Sequence, residues 1–331
     1  MLKKKESYLC LSAMLRAREP KLLNVEKASR MLDASSFEEA AKLLTDCGYD
    51  DMSQMSSSEI EQALSGHRKE IFDELERLAP DQAIPELFRM KYDYHNAKVI
   101  LKAEAMQTPS EHLLSDAGRI SPALLQGLYH EEKYSSMPGA LGKAMEEAAE
   151  VLARTSNPQQ ADFVLDQAYY AEFLKTAGES GNSFLLGYGK LLIDAANLKS
   201  TVRTVRMGKD RDFLRDALIP GGNVSTDRFL SSTDKEALVS LFSCSELEKA
   251  AALGAEAMDG STKLTAFELA CDNAVNAYLG KAKLISFGSE PVTAYLAAVE
   301  NEITAVRMIL TGRLAGVKSE TIRERLRDFY A

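Results

Sequence analysis

A chain of 331 residues, 45% hydrophobic and 27% charged, is long enough to bury a sizeable core or to build an extended helical array. Its net charge of −9 and pI near 5.2 exclude the clustered cationic footprint that nucleic-acid phosphates or an anionic membrane surface would require. No charge-free apolar run reaches about 18 residues, so no segment reads as a bilayer-spanning helix.

Helix signals dominate in chain order. Ser, Thr or Asn followed three residues later by Glu or Gln marks an expected helix start at Ser36/Glu39, Ser58/Glu61, Thr108/Glu111, Asn157/Gln160, Thr233/Glu236 and Thr265/Glu268. Pro109 and Pro158 stand where a first helical residue needs no N–H. Glycine and proline fall in short breaks such as Pro220-Gly221-Gly222-Asn223, and strand-type alternation is scarce, so the fold class reads as all-α.

Three long amphipathic segments align without gaps. They run from Glu86 to Leu101, from Tyr188 to Arg203 and from Leu296 to Leu310. Their apolar columns are Leu87/Tyr188/Leu296, Met90/Leu191/Val299, Tyr94/Ala195/Ile303, Ala97/Leu198/Val306 and Leu101/Val202/Leu310, one face of a helix of period 3.6. Polar columns strengthen the match. An acid recurs (Asp93, Asp194, Glu302), and five residues on a base recurs (Lys98, Lys199, Arg307). Asn96 and Asn197 form a further column, which Ala305 breaks. A shorter helical stretch opens each repeat, around residues 36–44, 140–152 and 245–250, and a helix-start signal follows each long helix at Pro109-Ser110-Glu111, Asp210-Arg211-Asp212 and Lys318-Ser319-Glu320. This organisation gives three units, expected at 1–118, 119–218 and 219–331.

The sequence carries no chemical motif. There is no phosphate-binding GxxxxGK[ST], GxSxG, HExxH or EF-hand pattern. His67, His95, His112 and His130, like Cys10, Cys47, Cys244 and Cys271, have spacings that suit no metal framework, so no catalytic residue, cofactor or metal is expected. The basic start from Met1 to Ser7 leads into an apolar stretch broken by Arg16 and Arg18, so no signal peptide is read and a reducing cytosol is expected.

Asp93, Asn96, Lys98, Asp194, Asn197, Lys199, Arg203, Glu302 and Arg307 are the candidate site residues. Two readings stand: they meet a partner, or they tie helices together. An acid and a base five apart lie about 140° around a helix, so each is expected to pair with a different neighbour, which favours ties. The basic tail (Arg313, Lys318, Arg323, Arg325, Arg327), interrupted by Glu320 and Glu324, reads as a solvated face.

The stretch from Tyr92 to Ala103, the element Ile193 to Lys199 with Arg203, and the tail segments Glu290–Leu296, Arg307–Gly312 and Ile322–Arg327 resemble, in this order, the C subunit of the vacuolar/archaeal-type rotary ATPases, whose eukaryotic counterpart is the d subunit. The regions Tyr8–Tyr49 and Asp166–Tyr170 are also similar, whereas Asp259–Gly288 matches only loosely. The resemblance implies three similar helical subdomains in a pseudo-threefold funnel, seated on the membrane proteolipid ring and receiving the central shaft subunits. It implies a non-catalytic protein at the cytoplasmic face, peripheral and without membrane insertion. A helical-repeat scaffold unrelated to an ATPase is the alternative.

Overall fold

The computed structural model describes residues 5–331; the basic start from Met1 to Lys4 lies outside the described residues. The chain is all-helical, with no strand among the described residues, and no helix there is long and apolar enough to cross a membrane. It divides into two compact units.

The first unit joins the residues up to Asp81 to Thr262–Ala331. Its N-terminal part holds α1 (Leu9–Arg18), α2 (Val25–Asp33), α3 (Phe37–Lys42) and α4 (Ser57–Leu78). The second unit, Gln82–Ser261, holds α5 (Ala83–Met106), α6 (Pro122–His130), α7 (Leu141–Thr155), α8 (Pro158–Glu179) and α9 (Ser183–Arg206). It continues through α10 (Arg211–Ala217), α11 (Thr226–Leu230), α12 (Lys235–Leu241) and α13 (Glu248–Met258). The first unit then resumes with α14 (Leu264–Gly280), α15 (Ser289–Leu314) and α16 (Ser319–Arg323).

The three aligned segments are α5, α9 and α15. All fifteen residues of the apolar columns are buried except Tyr188, which is half-buried. The alignment extends to the helix ends. Gln107, Gly208 and Gly316 stand in one column and all adopt positive φ, at 53°, 62° and 69°. The next N–H reaches back to the same turn each time: Thr108 to Ala103 O, Lys209 to Thr204 O and Val317 to Gly312 O, at 3.0, 3.1 and 2.9 Å. This left-handed cap satisfies carbonyls that would otherwise be orphaned at each helix end.

Several expected starts differ from the structure. Ser56, not Ser58, caps α4 through a reciprocal capping box with Glu59. Two overlapping boxes compete there, and Glu61 is used elsewhere, as described below. Asp234 displaces Thr233 at α12, because its carboxylate accepts the Ala237 N–H. Lys263 precedes α14, so Thr265 lies inside it. Thr108-Pro109 leads only to a 3-10 turn, Glu111–Leu113. Asn157 does cap α8, with Pro158 in the first position, and Asp210 caps α10.

In the first unit, α15 packs on α1, α3 and α4. Every residue from Pro291 to Val299 is buried, so this part of the helix is surrounded rather than amphipathic. The N-terminal segment is fixed to the C-terminal helices by polar contacts. The Ser12 hydroxyl meets the Gly288 N–H and carbonyl at 3.3 and 3.4 Å, and Arg16 donates to the Ala282 and Ile285 carbonyls at 2.6 and 2.7 Å. In the opposite sense, Arg313 donates to the Leu32 and Ala34 carbonyls at 2.8 and 2.7 Å. In the second unit, α5 packs on α7 and α8, and α9 packs on α8 and α13.

Candidate functional site

The recurring acid is the centre of each repeat. Asp93, Asp194 and Glu302 are buried, at 0%, 3% and 3% exposure, on helices whose apolar stripes fix that face inward. A buried carboxylate must be hydrogen-bonded, and each finds backbone N–H donors in a loop.

In the first repeat, Asp93 Oδ1 accepts the N–H groups of Arg119 (2.8 Å) and Ile120 (3.3 Å), and its Oδ2 accepts Arg119 Nε at 2.5 Å. In the second, Asp194 accepts the N–H groups of Asn223 and Val224, both at 3.1 Å, and Asn223 Nδ2 at 2.8 Å. In the third, Glu302 accepts the Leu23 N–H and, at 2.9 Å, the Tyr49 hydroxyl. Ile120, Val224 and Leu23 each sit immediately before an N-cap residue: Ser121 of α6, Ser225 of α11 and Asn24 of α2. The acid therefore sets where the next helix begins.

The asparagine column reinforces the first two ties. Asn96 exchanges two bonds with the backbone of Ser115, both 2.9 Å. Asn197 does the same with Ile219, donating at 2.7 Å and accepting at 2.8 Å. Gly118 and Gly222 then stand three residues past Ser115 and Ile219, and a Cβ on either would collide with Oδ1 of Asp93 or Asp194. The third tie lacks both devices: Ala305 replaces the asparagine, and Lys21 occupies the position two before Leu23. Its glutamate is one methylene longer than aspartate and reaches its loop without a bare backbone opposite.

Electrostatics follow burial. Burial raises the carboxyl of Asp93 against the bonds from Arg119 and the loop, and raises that of Asp194 against the bonds from Val224 and Asn223. Glu302 is pushed up to about 7 by burial, although the Leu23 N–H and the Tyr49 hydroxyl favour its charged form. Arg119 loses hydration on burial, yet its bonds to Glu172 and Asp93 override this and raise its pKa. Its Nη1 lies 2.7 Å from Glu172 on α8, which also accepts from the Tyr94 hydroxyl at 2.8 Å and the Ala140 N–H at 3.2 Å. A buried Asp93–Arg119–Glu172 chain thus joins α5, the loop before α6, and α8.

The recurring bases point elsewhere. Lys98 pairs with Asp166 of α8 at 2.5 Å, and Arg307 makes two bonds to Glu61 of α4 at 2.7 and 2.8 Å. Lys199 is half-buried and Arg203 is exposed. His95 lies on the surface with Nε2 3.0 Å from the Leu113 carbonyl. Among the described residues no group of His, Cys, Asp or Glu is placed to hold a metal. Sequence reasoning missed Arg119, Glu172, Tyr49 and the two loop glycines. The signal that could have found the loops is the shared pattern Gly118-x-Ile120-Ser121 and Gly222-x-Val224-Ser225.

Both oxygens of each of the three carboxylates are engaged by backbone N–H, hydroxyl, amide or guanidinium donors, so the arrangement positions chain. Residues 11–325 match the model of a family described as ATP synthase (C/AC39) subunit. The chain is 24% identical over 324 residues to the C subunit of the V-type sodium ATPase of Enterococcus hirae, covering 98% of this chain and 99% of that one. It is 26% identical over 347 residues to the C subunit of the A-type ATP synthase of Methanocaldococcus jannaschii, covering 96% and 86%. The corresponding A-type ATP synthase protein of Haloquadratum walsbyi is 25% identical over 340 residues, covering 95% and 96%.

Proposed function

The chain belongs to the ATP synthase (C/AC39) subunit family and is a subunit of a rotary ATPase; from that premise we propose that it is the non-catalytic socket of the rotor. In this reading it joins the central shaft subunits to the membrane proteolipid ring and carries torque between them. It does so as three similar subdomains, 1–118, 119–218 and 219–331, arranged as a pseudo-threefold funnel. It rests peripherally on the ring at the cytoplasmic face and inserts nothing into the bilayer. The identity of the ion is decided in the ring.

The observation that carries the reading is the family match across nearly the whole chain. The physical character of the repeats supports it. A torque coupler must not yield, and in each repeat buried polar contacts fix the loop that follows or meets a long helix, so the stiffness extends beyond the helices themselves. A pseudo-threefold body facing a ring of another symmetry needs contacts that tolerate rotation, which favours loops as the ring-facing surfaces.

The test is co-purification. The chain is tagged at its N-terminus, expressed in its source cells, and recovered from membranes solubilised in mild detergent. Recovery of a proteolipid together with the shaft subunits in a fixed ratio supports the socket. A single clean band, with those subunits present in the extract but left behind, overturns it in favour of a free-standing helical scaffold.

A further inference from the structure

The three ties differ in one respect. Asp93 and Asp194 hold loops about thirty residues downstream, before α6 and α11, whereas Glu302 holds Leu23, near the other end of the sequence. Packing follows the same order. The opener met by α5 is α7, that met by α9 is α13, and that met by α15 is α3. The cross-helix ion pairs join the corresponding helices: Lys98, in the column of Arg307, reaches Asp166 on α8 and Arg307 reaches Glu61 on α4, and α8 and α4 are both 22 residues long.

We infer that the repeat is cyclic: the segment ahead of Asn24 serves α15 as the segments ahead of Ser121 and Ser225 serve α5 and α9, with Glu302 as the clasp that joins the two ends of the chain. The lead-in of the first repeat is then split. One part follows α15 and contains α16; the other contains α1, which is fixed to the start of α15 through Ser12 and Gly288. The clasp is the one tie of the three whose halves are synthesised far apart. The helices of the first unit therefore close only after α15 arrives, and release of the clasp frees the Leu23 backbone ahead of α2 without disturbing the second unit's ties.

The inference is tested by circular permutation. Tyr330 lies beside Arg16 and Glu19, and α1 runs back from there over ten residues. That span is about 15 Å, which a Gly/Ser linker of about ten residues covers. Two permutants join Ala331 to Met1 through this linker. One is opened between Thr108 and Pro109, the other between Lys209 and Asp210; all four residues are exposed. Each opening turns a loop tie into a clasp and the clasp into a loop tie. The expected result is that the permutants fold with the parent's helical content.

Local amide exchange supplies the second measurement. In the parent, Glu302→Ala should speed exchange at Leu23 by about tenfold or more and leave Ile120 unchanged. In the permutant opened at Thr108, Asp93→Ala should do the same to Ile120 and its new N-terminal segment. Failure of both permutants to fold overturns the inference. So does unchanged exchange at Leu23 in Glu302→Ala.

Discussion

Asn197 and the backbone of Ile219 exchange two hydrogen bonds inside the protein, the side chain acting as a peptide group that the loop pairs with. Replacing Asn197 by Ala leaves a buried N–H and a buried carbonyl without partners. Each costs about 1–3 kcal/mol, and the loss should appear as faster amide exchange at Ile219. Asn96→Ala should cost less, because the Ser115 pair is only partly buried and water can replace the side chain.

Gly222→Ala should destabilise the second unit by about 1–3 kcal/mol, since the added methyl meets Asp194 Oδ1 and that carboxylate is held by the loop itself. Gly118→Ala should do the same through Asp93. Lys21→Ala, at the corresponding position before Leu23, should stay within about 0.5 kcal/mol, because Lys21 is exposed and already carries a Cβ. Thermal melts of the three variants, run together, check the contrast.

The three long helices could be read in advance because burial repeats at 3.6 residues, and that period is written in residue types from Leu87 to Leu310. The recurring acids and bases were readable as columns for the same reason. Their partners were not. Asp194 binds the N–H groups of Asn223 and Val224, and a backbone N–H leaves no trace in residue type. Only Gly222 and Ser225, matched by Gly118 and Ser121, mark the loop. The start of α4 was misplaced because Ser56/Glu59 and Ser58/Glu61 are equal as local signals, and Glu61 is drawn off to Arg307, 246 positions away. The contact between Glu302 and Leu23 spans 279 positions and lies beyond any local pattern.

Arg119 neutralises two buried carboxylates at once, through Nε to Asp93 and Nη1 to Glu172. Arg119→Met should cost about 3–5 kcal/mol by leaving both unpaired. Arg119→Lys should recover little, since an ammonium cannot reproduce the two-pronged geometry. Without the guanidinium, burial would hold the Asp93 carboxyl of the folded Met variant further above its unfolded value. The variant's deficit relative to wild type should therefore shrink as pH falls from 7 to 5, which paired urea titrations at the two pH values would show.

Deleting Ile322–Ala331 removes the buried Ile322 side chain, which packs on Gly312, and the Arg327 bonds to Asp272 and Asn301. Losing the isoleucine alone costs about 1.5–3 kcal/mol. The truncated chain should melt earlier in its first unit and, on the socket reading, be lost from the purified complex. Retention at normal stoichiometry would show that this end is not a docking surface.

Glu302 gives the first unit a pH dependence of definite sign. Its folded pKa, raised by burial from 4.5 to about 7, exceeds the unfolded value, so the folded state holds the proton more tightly. The stabilisation is complete below pH 4.5 and is lost as pH rises through about 7. The full span corresponds to about 3 kcal/mol. Glu302→Gln is neutral at every pH, can accept the Leu23 N–H through its carbonyl, and can donate its amide to the Tyr49 hydroxyl. Its stability should be nearly flat from pH 5 to 8, close to wild type at pH 5 and above it at pH 8. Amide exchange at Leu23, measured at both pH values and corrected for intrinsic rates, separates the two proteins: the wild-type clasp should loosen between them, and the Gln variant should not.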